Sequence, residues 1–319
     1  MSKAGLTGPL VAAAALIAAV AVPFVFRSEY VLDVLFLIFL YGAMSAAWNI
    51  VGGFAGQISF GHAAFLGVGA YTTMILWGEG WSIWATLPIA AALAALFSII
   101  VGVPSFRLRG PYFSIATIGI GEAMRLIALN WSKLTGGASG LTAGAGPTPQ
   151  IQYLTALALC AVAFGVSWWI VRSRFGFALA AIKQDTDAAQ TLGVDTTLYK
   201  TLALALSAML VGVAGSIYAM HYLFISPDSV FGFSTAIALV IMPIIGGVGT
   251  VWGPLIGAVI YTFVREQFAV KLANADLLAF GLLLIAIVLF EPKGIVGAWE
   301  SMMRRRAARK ALVGAAASG

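Results

Sequence analysis

Residues 172–200 read RSRFGFALAAIKQDTDAAQTLGVDTTLYK and form the one long polar interruption in a strongly apolar chain. Within them Leu179, Ile182, Thr186 and Ala189 recur at three- and four-residue spacing, and charged or amide side chains stand between them. This period is typical of amphipathic helices. The stretch therefore predicts one or two short helices that lie along a membrane face.

Residues with capping tendencies mark the ends of these predicted helices. Asp185 or Thr186 can cap the second helix, and Asp187 then falls in its first turn, where the helix dipole favours a carboxylate. Gly193 is a natural left-handed stop, and Asp195 can cap the helix that follows. On this pattern alone, a solvated connector between two membrane spans is the simpler interpretation.

The composition of the whole chain indicates a membrane protein. Of 319 residues, 61% are hydrophobic and only 9% are charged, which is more apolar surface than a soluble core can hide. We expect an all-α fold, a polytopic transmembrane helical bundle of about ten helices, with short amphipathic cytoplasmic helices in the stretch 172–200. The predicted spans are residues 9–26, 34–51, 63–78, 84–104, 111–131, 151–171, 201–220, 235–245, 255–264 and 277–290.

The first of these spans is taken as a retained helix, with a cleaved signal peptide as the alternative. Residues 1–300 are then a single transmembrane domain, and residues 301–319 are a basic tail. If both termini lie in the cytoplasm, most lysines and arginines fall on the cytoplasmic side, as the positive-inside rule requires. Orientation in a lipid bilayer therefore explains the net charge of +6, and we exclude nucleic acid as a partner.

Two glycine-rich stretches predict breaks in membrane helices. They read GGFAGQISFGHAAF from residue 52 and GGVGTVWGPLIGA from residue 246. Backbone without helical hydrogen bonds is tolerated at membrane depth only against protein or a water-filled cavity. The breaks are therefore candidate parts of a translocation pathway, and the alternative for the first is a tight cytoplasmic turn with Ser59 capping the next helix.

Glu122 and Arg125 lie three residues apart on one face of the fifth span, near mid-depth. Ionised groups are costly there unless they are paired or hydrated, so we expect the two to neutralise each other. A structural pair and a role in the pathway both fit. The pathway candidates are Gly53, Gln57, Ser59, His62, Glu122, Arg125, Gly247 and Gly249.

Several classes of function lack their sequence requirements. No glycine is followed by lysine, so the phosphate-binding loop of P-loop ATPases is absent and any ATP must be hydrolysed elsewhere. His62, His221 and the single Cys160 show no metal-ligand spacing, and no nucleophile motif of the G-x-S-x-G type occurs. We therefore expect neither an enzyme nor a cofactor or metal bound by this chain.

A resemblance gives the polar stretch a more specific interpretation. The pattern Asp187-Ala188-Ala189-x-x-x-Gly193 resembles the acidic-Ala-Ala-x-x-x-Gly signature of ABC importer permeases, with Asp in place of the usual Glu. The preceding RFGFALAAIKQDT is similar to LivM-type permeases of branched-chain amino acid importers. Five more stretches resemble that family in order: GGFAGQISFGHAAFLGVGAYT, GPYFSIATIGIGEAMRL, LTGGASGLT, GGVGTVWGPLIGA and FEPKGIVG.

The resemblance implies a permease subunit of an ABC importer in a bacterial inner membrane. Its partners would be a LivH-type permease, two cytoplasmic ATPase subunits and a periplasmic solute-binding protein. Residues 172–200 would be the coupling loop, whose ATPase-coupling residues are Arg174, Gly176, Asp187, Ala188, Ala189 and Gly193. The implied solutes are branched-chain amino acids, although the same family also serves urea, short amides and aromatic acids.

An ion-coupled secondary transporter is the rival from another class. In that case Glu122 and Arg125 would be coupling residues, and the helix breaks would form the substrate site. The coupling loop discriminates between the two hypotheses, because a secondary transporter has no need of an ATPase-docking signature.

Overall fold

The structure is a computed structural model that describes residues 17–25, 28–271, 281 and 294–297, and within these residues the chain is mostly helical, as predicted. The helices are α1 (the described residues 17–25), α2 (Glu29–Asn49), α3 (His62–Gly78), α4 (Ile83–Ser105), α5 (Pro111–Asn130), α6 (Ser132–Thr135), α7 (Pro149–Arg172), α8 (Arg174–Gln184), α9 (Thr186–Thr191), α10 (Thr196–Tyr222), α11 (Pro227–Phe231), α12 (Phe233–Gly246) and α13 (Gly253–Lys271). Two short antiparallel strands, β1 (Leu141–Thr142) and β2 (Phe224–Ile225), pair with each other.

Six helical segments of the described residues are long and apolar enough to cross a membrane. They are Glu29–Phe54, Ile83–Ser105, Pro111–Asn130, Pro149–Arg172, Thr196–Tyr222 and Pro227–Gly246. Half of the predicted first span and nearly all of the predicted last span, 277–290, lie outside the described residues, as does the tail 301–319. The total of about ten helices and the domain limits therefore stay predictions.

Helix α10 lies at the centre of the bundle and packs against α2, α3, α4 and α7. Its contact with α3 and α4 depends on small residues. A Cβ on Gly69 of α3 would overlap the backbone of Gly212 of α10. A Cβ on Gly212 would lie 2.6 Å from the Cβ of Ala94 on α4. Small residues of this kind let membrane helices approach closely, so α10 forms the frame on which the other elements are placed.

The bundle has two distinct ends. Helices α8 and α9 connect α7 to α10 at one end, which we call the loop end; the turn after α2 and the turn between α12 and α13 lie there too. At the opposite end, which we call the far end, strand β1 of the connection between α5 and α7 pairs with β2 of the connection after α10. That the short helices of the loop end lie along a membrane face stays a prediction.

The first glycine-rich break begins later than the sequence predicted. Helix α2 continues without interruption into a π-helical segment, Ile50–Phe54, so that Gly52 and Gly53 are both helical and buried. The break covers residues 55–61 instead. The predicted break is present, but its assignment to Gly52 and Gly53 was wrong because these glycines serve close packing: a Cβ on Gly52 would overlap the Trp48 ring, and a Cβ on Gly53 would overlap the Asn49 amide.

One smaller prediction also needs correction. Ser59 does not cap α3, because the N-cap position is Gly61 and the Ser59 hydroxyl accepts a hydrogen bond from the Gly61 N–H at 3.2 Å. Helix α13 is longer than the predicted apolar span 255–264 and includes Arg265 and Lys271. Glu122 is the twelfth of the twenty residues of α5, and the depth of the Glu122–Arg125 pair in a membrane stays a prediction.

Candidate functional site

Helices α8 and α9 begin at side-chain caps, as the sequence predicted for α9. The Ser173 hydroxyl accepts from the Gly176 N–H at 3.2 Å and starts α8. The Asp185 carboxylate starts α9 and accepts from Ala188 N–H at 3.0 Å and from Asp187 N–H at 2.8 Å. These two backbone hydrogen bonds, the one from Ala188 foremost, hold the pKa of Asp185 below its ordinary value.

Gly193 ends α9 in the left-handed conformation, with φ of +85°, as predicted. Its N–H donates to the Gln190 carbonyl at 3.0 Å, and the next N–H, of Val194, donates to the Ala189 carbonyl at 3.1 Å. A Cβ on Gly193 would meet no atom within 4 Å. A larger residue there would therefore be opposed by backbone strain alone and not by a clash.

The six residues of the predicted coupling set divide into an exposed and an inward-facing group. Arg174, Asp187, Ala188 and Gly193 are exposed. Ala189 is buried, and Gly176 is partly buried where a Cβ would overlap the Ile170 carbonyl of α7. The first group is available to a partner, whereas the second holds α8 and α9 against the bundle.

One exposed member of the set already has a partner within the chain. The Asp187 carboxylate accepts from Arg109 Nη1 at 2.8 Å, and both side chains are largely exposed. Arg109 belongs to the connection between α4 and α5, which therefore also lies at the loop end. This contact was not predicted from the sequence.

The two glycine-rich breaks meet at a residue that the sequence analysis did not select. The Asn49 amide, near the end of α2, accepts from the Gly249 N–H at 2.8 Å and donates to the Thr250 carbonyl at 2.9 Å. Gly247 and Gly249 have φ of +134° and +81°, a conformation that few other residues adopt. The turn of residues 247–252 is thus bound to the end of α2.

Lys183 joins the coupling loop to the same place. Its ammonium group donates to the Gly53 carbonyl at 2.7 Å, from α8 to the π-helical end of α2. The sequence does mark both residues as polar: Asn49 lies inside an apolar run, and Lys183 lies beside the buried face of α8. Neither position reveals its partner, because the contacts join residues far apart in the chain.

Ser59 and His62 form a buried hydrogen-bond network. The Ser207 hydroxyl donates to the Ala47 carbonyl at 2.6 Å, so its oxygen accepts from His62 Nε2–H at 2.9 Å. His62 Nδ1 is then the acceptor of the Ser59 hydroxyl at 3.2 Å. With both ring nitrogens paired and 1% of the residue exposed, His62 has a structural role in this arrangement.

Glu122 and Arg125 do pair, and a third charge joins them. Arg125 donates to both carboxylate oxygens of Glu122, at 2.6 and 2.9 Å, and its Nη1 donates to Asp228 at 2.8 Å. Asp228 lies on α11 at the far end. The sequence analysis missed Asp228, and with it the cluster carries one net negative charge.

A cavity of about 530 Å³ lies between α2, α3 and the segment from α10 to α13. Three tyrosines, Tyr41, Tyr218 and Tyr261, contribute to its wall together with Asp228 and Arg265, and Arg265 donates to the Tyr41 hydroxyl. Among the described lining residues there is none of the eight predicted pathway candidates. Asp228 connects this cavity to the Arg125 cluster.

Comparison with known proteins gives matches along most of the chain. A profile of the family described as branched-chain amino acid transport system / permease component matches residues 30–288. The chain is 29% identical to the high-affinity branched-chain amino acid transport system permease protein LivM of Escherichia coli (strain K12), over 89% of this chain and 73% of the relative. It is 23% identical to the permease protein LivH of the same strain, over 81% of this chain and 91% of the relative.

A more distant organism gives a similar match. The probable branched-chain amino acid transport permease protein LivM of Methanocaldococcus jannaschii is 23% identical, over 81% of this chain and 90% of the relative. No solved structure matches the chain. Six helices apolar enough to cross a bilayer and matches to named permeases identify a multi-pass membrane protein. The chain belongs to the family of permease components of branched-chain amino acid transport systems.

Proposed function

We propose that this chain is one of two permease subunits of an ABC importer and that it passes branched-chain amino acids or a similar small polar solute. ATP is hydrolysed by two separate cytoplasmic subunits, and this chain itself binds no cofactor and catalyses no reaction. A periplasmic binding protein delivers the solute. The observation that carries the proposal is the exposed corner of α9, formed by Asp187 and Ala188, in a loop whose Lys183 lies close to both helix breaks.

The shape of this corner favours docking of a protein. Asp185 holds the first turn of α9 and Gly193 ends it, so the turn is short and fixed at both ends. Ala188 is small and exposed, so another backbone can approach it closely. The corner is supported from below by three buried side chains, Leu179, Ile182 and Ala189, which keep it at the surface of the bundle. An ATPase bound to this corner is therefore rigidly connected to the bundle as well.

Helix α5 offers a surface for the second permease subunit. Five of its exposed residues form one stripe: Ile115, Gly119, Glu122, Ala123 and Leu126. A carboxylate on a stripe that faces only lipid would be costly, even when it is paired with Arg125. Small residues four apart allow a second helix to approach closely. A LivH-type partner on this stripe would shield Glu122 and place it beside the pathway between the subunits.

The orientation follows from the same assignment. The loop end is cytoplasmic, because an ATPase has to reach α9, and both termini lie on that side of a bacterial inner membrane. An impermeant thiol reagent applied to intact spheroplasts should then leave a cysteine at Gln184 unlabelled and should label it after the membrane is opened. Labelling of the intact cells would contradict the orientation.

The charge cluster favours one alternative function. Arg125 between two carboxylates leaves a net negative charge beside a large cavity, an arrangement that also suits the coupling-ion site of a secondary transporter. In that case uptake would depend on an ion gradient and would not need an ATPase. The docking experiment distinguishes the two.

The experiment uses the complete complex, purified through this chain. Gly193→Val strains the end of α9 by about 1 kcal/mol or more, and Ala188→Trp adds bulk to the exposed corner. Each should reduce the copurified ATPase or uncouple its hydrolysis from uptake in lipid vesicles. Ala145→Trp, at an exposed position of the far end, is the matched control and should retain the ATPase. Full ATPase content and full coupled uptake in both loop variants would overturn the proposal.

A further inference from the structure

We propose that Lys183 is a positioning residue that joins the coupling loop to both helix breaks, so that a displacement of α8 by the ATPase is passed to the ends of α2, α12 and α13. The inference rests on the proposed function, because it requires an ATPase at the loop end. It goes further by naming the contact through which the membrane helices respond.

The bond between Lys183 and Gly53 has the character of a helix cap. Gly53 is the second-last residue of the π-helical segment that ends α2, and the last carbonyls of a helix lack partners within it. The Lys183 ammonium supplies a donor to that carbonyl at 2.7 Å and complements the negative end of the helix dipole. A charged donor makes this bond stronger than a neutral one, so α8 and the end of α2 are held as a unit.

The stem of Lys183 runs between the two breaks. A Cβ on Gly56, in the first break, would lie 2.9 Å from the Lys183 Cγ, and a Cβ on Gly249, in the second, would lie 3.1 Å from its Nζ. Both glycines have positive φ, +71° and +81°. The backbone of each break therefore passes close to the same lysine, whose side chain is otherwise exposed.

Asn49 completes the connection to the second break. It is fully buried, and its amide binds the backbone of Gly249 and of Thr250. Residues 249–250 are thus attached to α2 less than two turns before the carbonyl that Lys183 binds. Coupling between distant sites is carried by contiguous contacts of this kind.

The position of Lys183 on α8 makes the connection short. Ile182, its neighbour, is buried in the bundle core, and Asp187 and Ala188 follow within five residues on the exposed corner. A partner that moves the corner must therefore move Lys183 relative to Gly53 or carry the breaks along with it. The second outcome links docking to a change in the membrane helices.

The test compares Lys183→Met, which keeps the length of the stem but removes the ammonium, with Lys183→Arg, which keeps a cationic donor. Arg107→Met removes an exposed cation from the same end and is the control. Each variant is assembled with its ATPases, its partner permease and its binding protein in vesicles. We expect Lys183→Met to copurify with normal amounts of ATPase and to lose solute-stimulated hydrolysis by about tenfold, the loss typical of one charge-assisted hydrogen bond. Lys183→Arg should retain much of the solute-stimulated hydrolysis.

A second measurement is independent of transport. A nonhydrolysable ATP analogue should change amide hydrogen exchange in residues 247–252 of the wild-type complex and of Arg107→Met, but not of Lys183→Met. If Lys183→Met does not fold, Lys183→Gln, whose amide is too short to reach Gly53, gives the same comparison.

The possible results separate this inference from the proposed function. Unchanged coupling and an unchanged exchange response in Lys183→Met would overturn the role of Lys183 while leaving the importer intact. Loss of the ATPase from Lys183→Met would also overturn it, since the lysine would then serve docking. A wild-type complex that retains no ATPase would instead contradict the proposed function itself.

Discussion

The loop end and the far end are both held by polar contacts, but the contacts are of different kinds. At the loop end, Asn49 binds backbone groups of the second break, Lys183 binds a carbonyl at the π-helical end of α2, and glycines allow the chains to touch. At the far end, Arg125 binds two carboxylates whose side chains are 48% and 72% exposed. Backbone groups cannot change partners without moving a helix, whereas exposed side chains can. If the ATPase docks at the loop end, as proposed, the loop end is the one built to transmit movement, and the far end is the one built to tolerate it.

The largest effect should come from Gly53→Ala. The added Cβ would overlap the Asn49 amide and lie 2.7 Å from the Gly249 nitrogen, so at least one of the breaks must move. Overpacking of this kind costs about 1–3 kcal/mol, which should be seen as a lower thermal stability of the purified chain. Gly165→Ala, on α7 where a Cβ would meet no atom within 4 Å, is the control and should be neutral or slightly stabilising. Equal stability of the two variants would contradict the packing described for the breaks.

Asn49→Ala should have the next largest effect. It leaves the Gly249 N–H and the Thr250 carbonyl without their partner in a buried place, at a cost of about 1–3 kcal/mol. Hydrogen exchange should increase at residues 247–252. Asn130→Ala removes an exposed amide that donates to the carbonyl of Leu126 in its own helix, and should leave this exchange unchanged. No increase in Asn49→Ala would show that the second break does not depend on α2.

Substitutions in the charge cluster of the far end should lower thermal stability less, and the loss should depend on how many ion-pair partners the changed residue has. Because Arg125 has two carboxylates, Asp228→Asn leaves Arg125 paired with Glu122 and should lower thermal stability only slightly. Arg125→Met leaves both carboxylates without their cation and should cost more. A double-mutant cycle of Arg125→Met with Glu122→Gln should show coupling between the two sites. Strictly additive losses would indicate that the bonds in the structure contribute nothing.

The smallest effect should be a pH dependence of α9. The hydrogen bonds from Ala188 and Asp187 hold the pKa of Asp185 below its ordinary value, so the cap stabilises α9 above the ordinary range of Asp. The stabilisation is lost as the pH falls through the lowered pKa, where the carboxylate takes up a proton. Amide exchange in residues 186–191 should then increase in the wild-type chain. Asp185→Asn keeps an acceptor oxygen but does not titrate, so amide exchange in this variant should lack the pH transition. The same transition in the wild-type chain and in the variant would show that another group causes it.

The sequence predicted the local features of this site well. The cap at Asp185, the left-handed Gly193 and the cap at Asp195 depend on residues within three or four positions, and all three are present. The pairing of Glu122 with Arg125 is a helical neighbour contact of the same kind. Short-range chemistry of this type can be read from spacing alone.

The remaining features depend on residues far apart in the chain. Asn49 and Gly249 are 200 positions apart, and Lys183 and Gly53 are 130 apart. Gly52 and Gly53 were interpreted as helix breakers because propensity is a local measure, but the partners that require their small size include Gly249 of the other break. Asp228 was missed for the same reason, since its connection to Arg125 depends on how α11 folds back onto α5.

The most direct test of the account is solute-dependent ATP hydrolysis by the assembled complex in sealed vesicles. We predict that leucine, isoleucine or valine with the binding protein stimulates hydrolysis and that uptake continues when ion gradients are collapsed. If urea, a short amide or an aromatic acid stimulates instead, the solute is revised and the ATP-driven mechanism stands. Uptake that stops when the gradients collapse and proceeds without ATP would contradict the central claim.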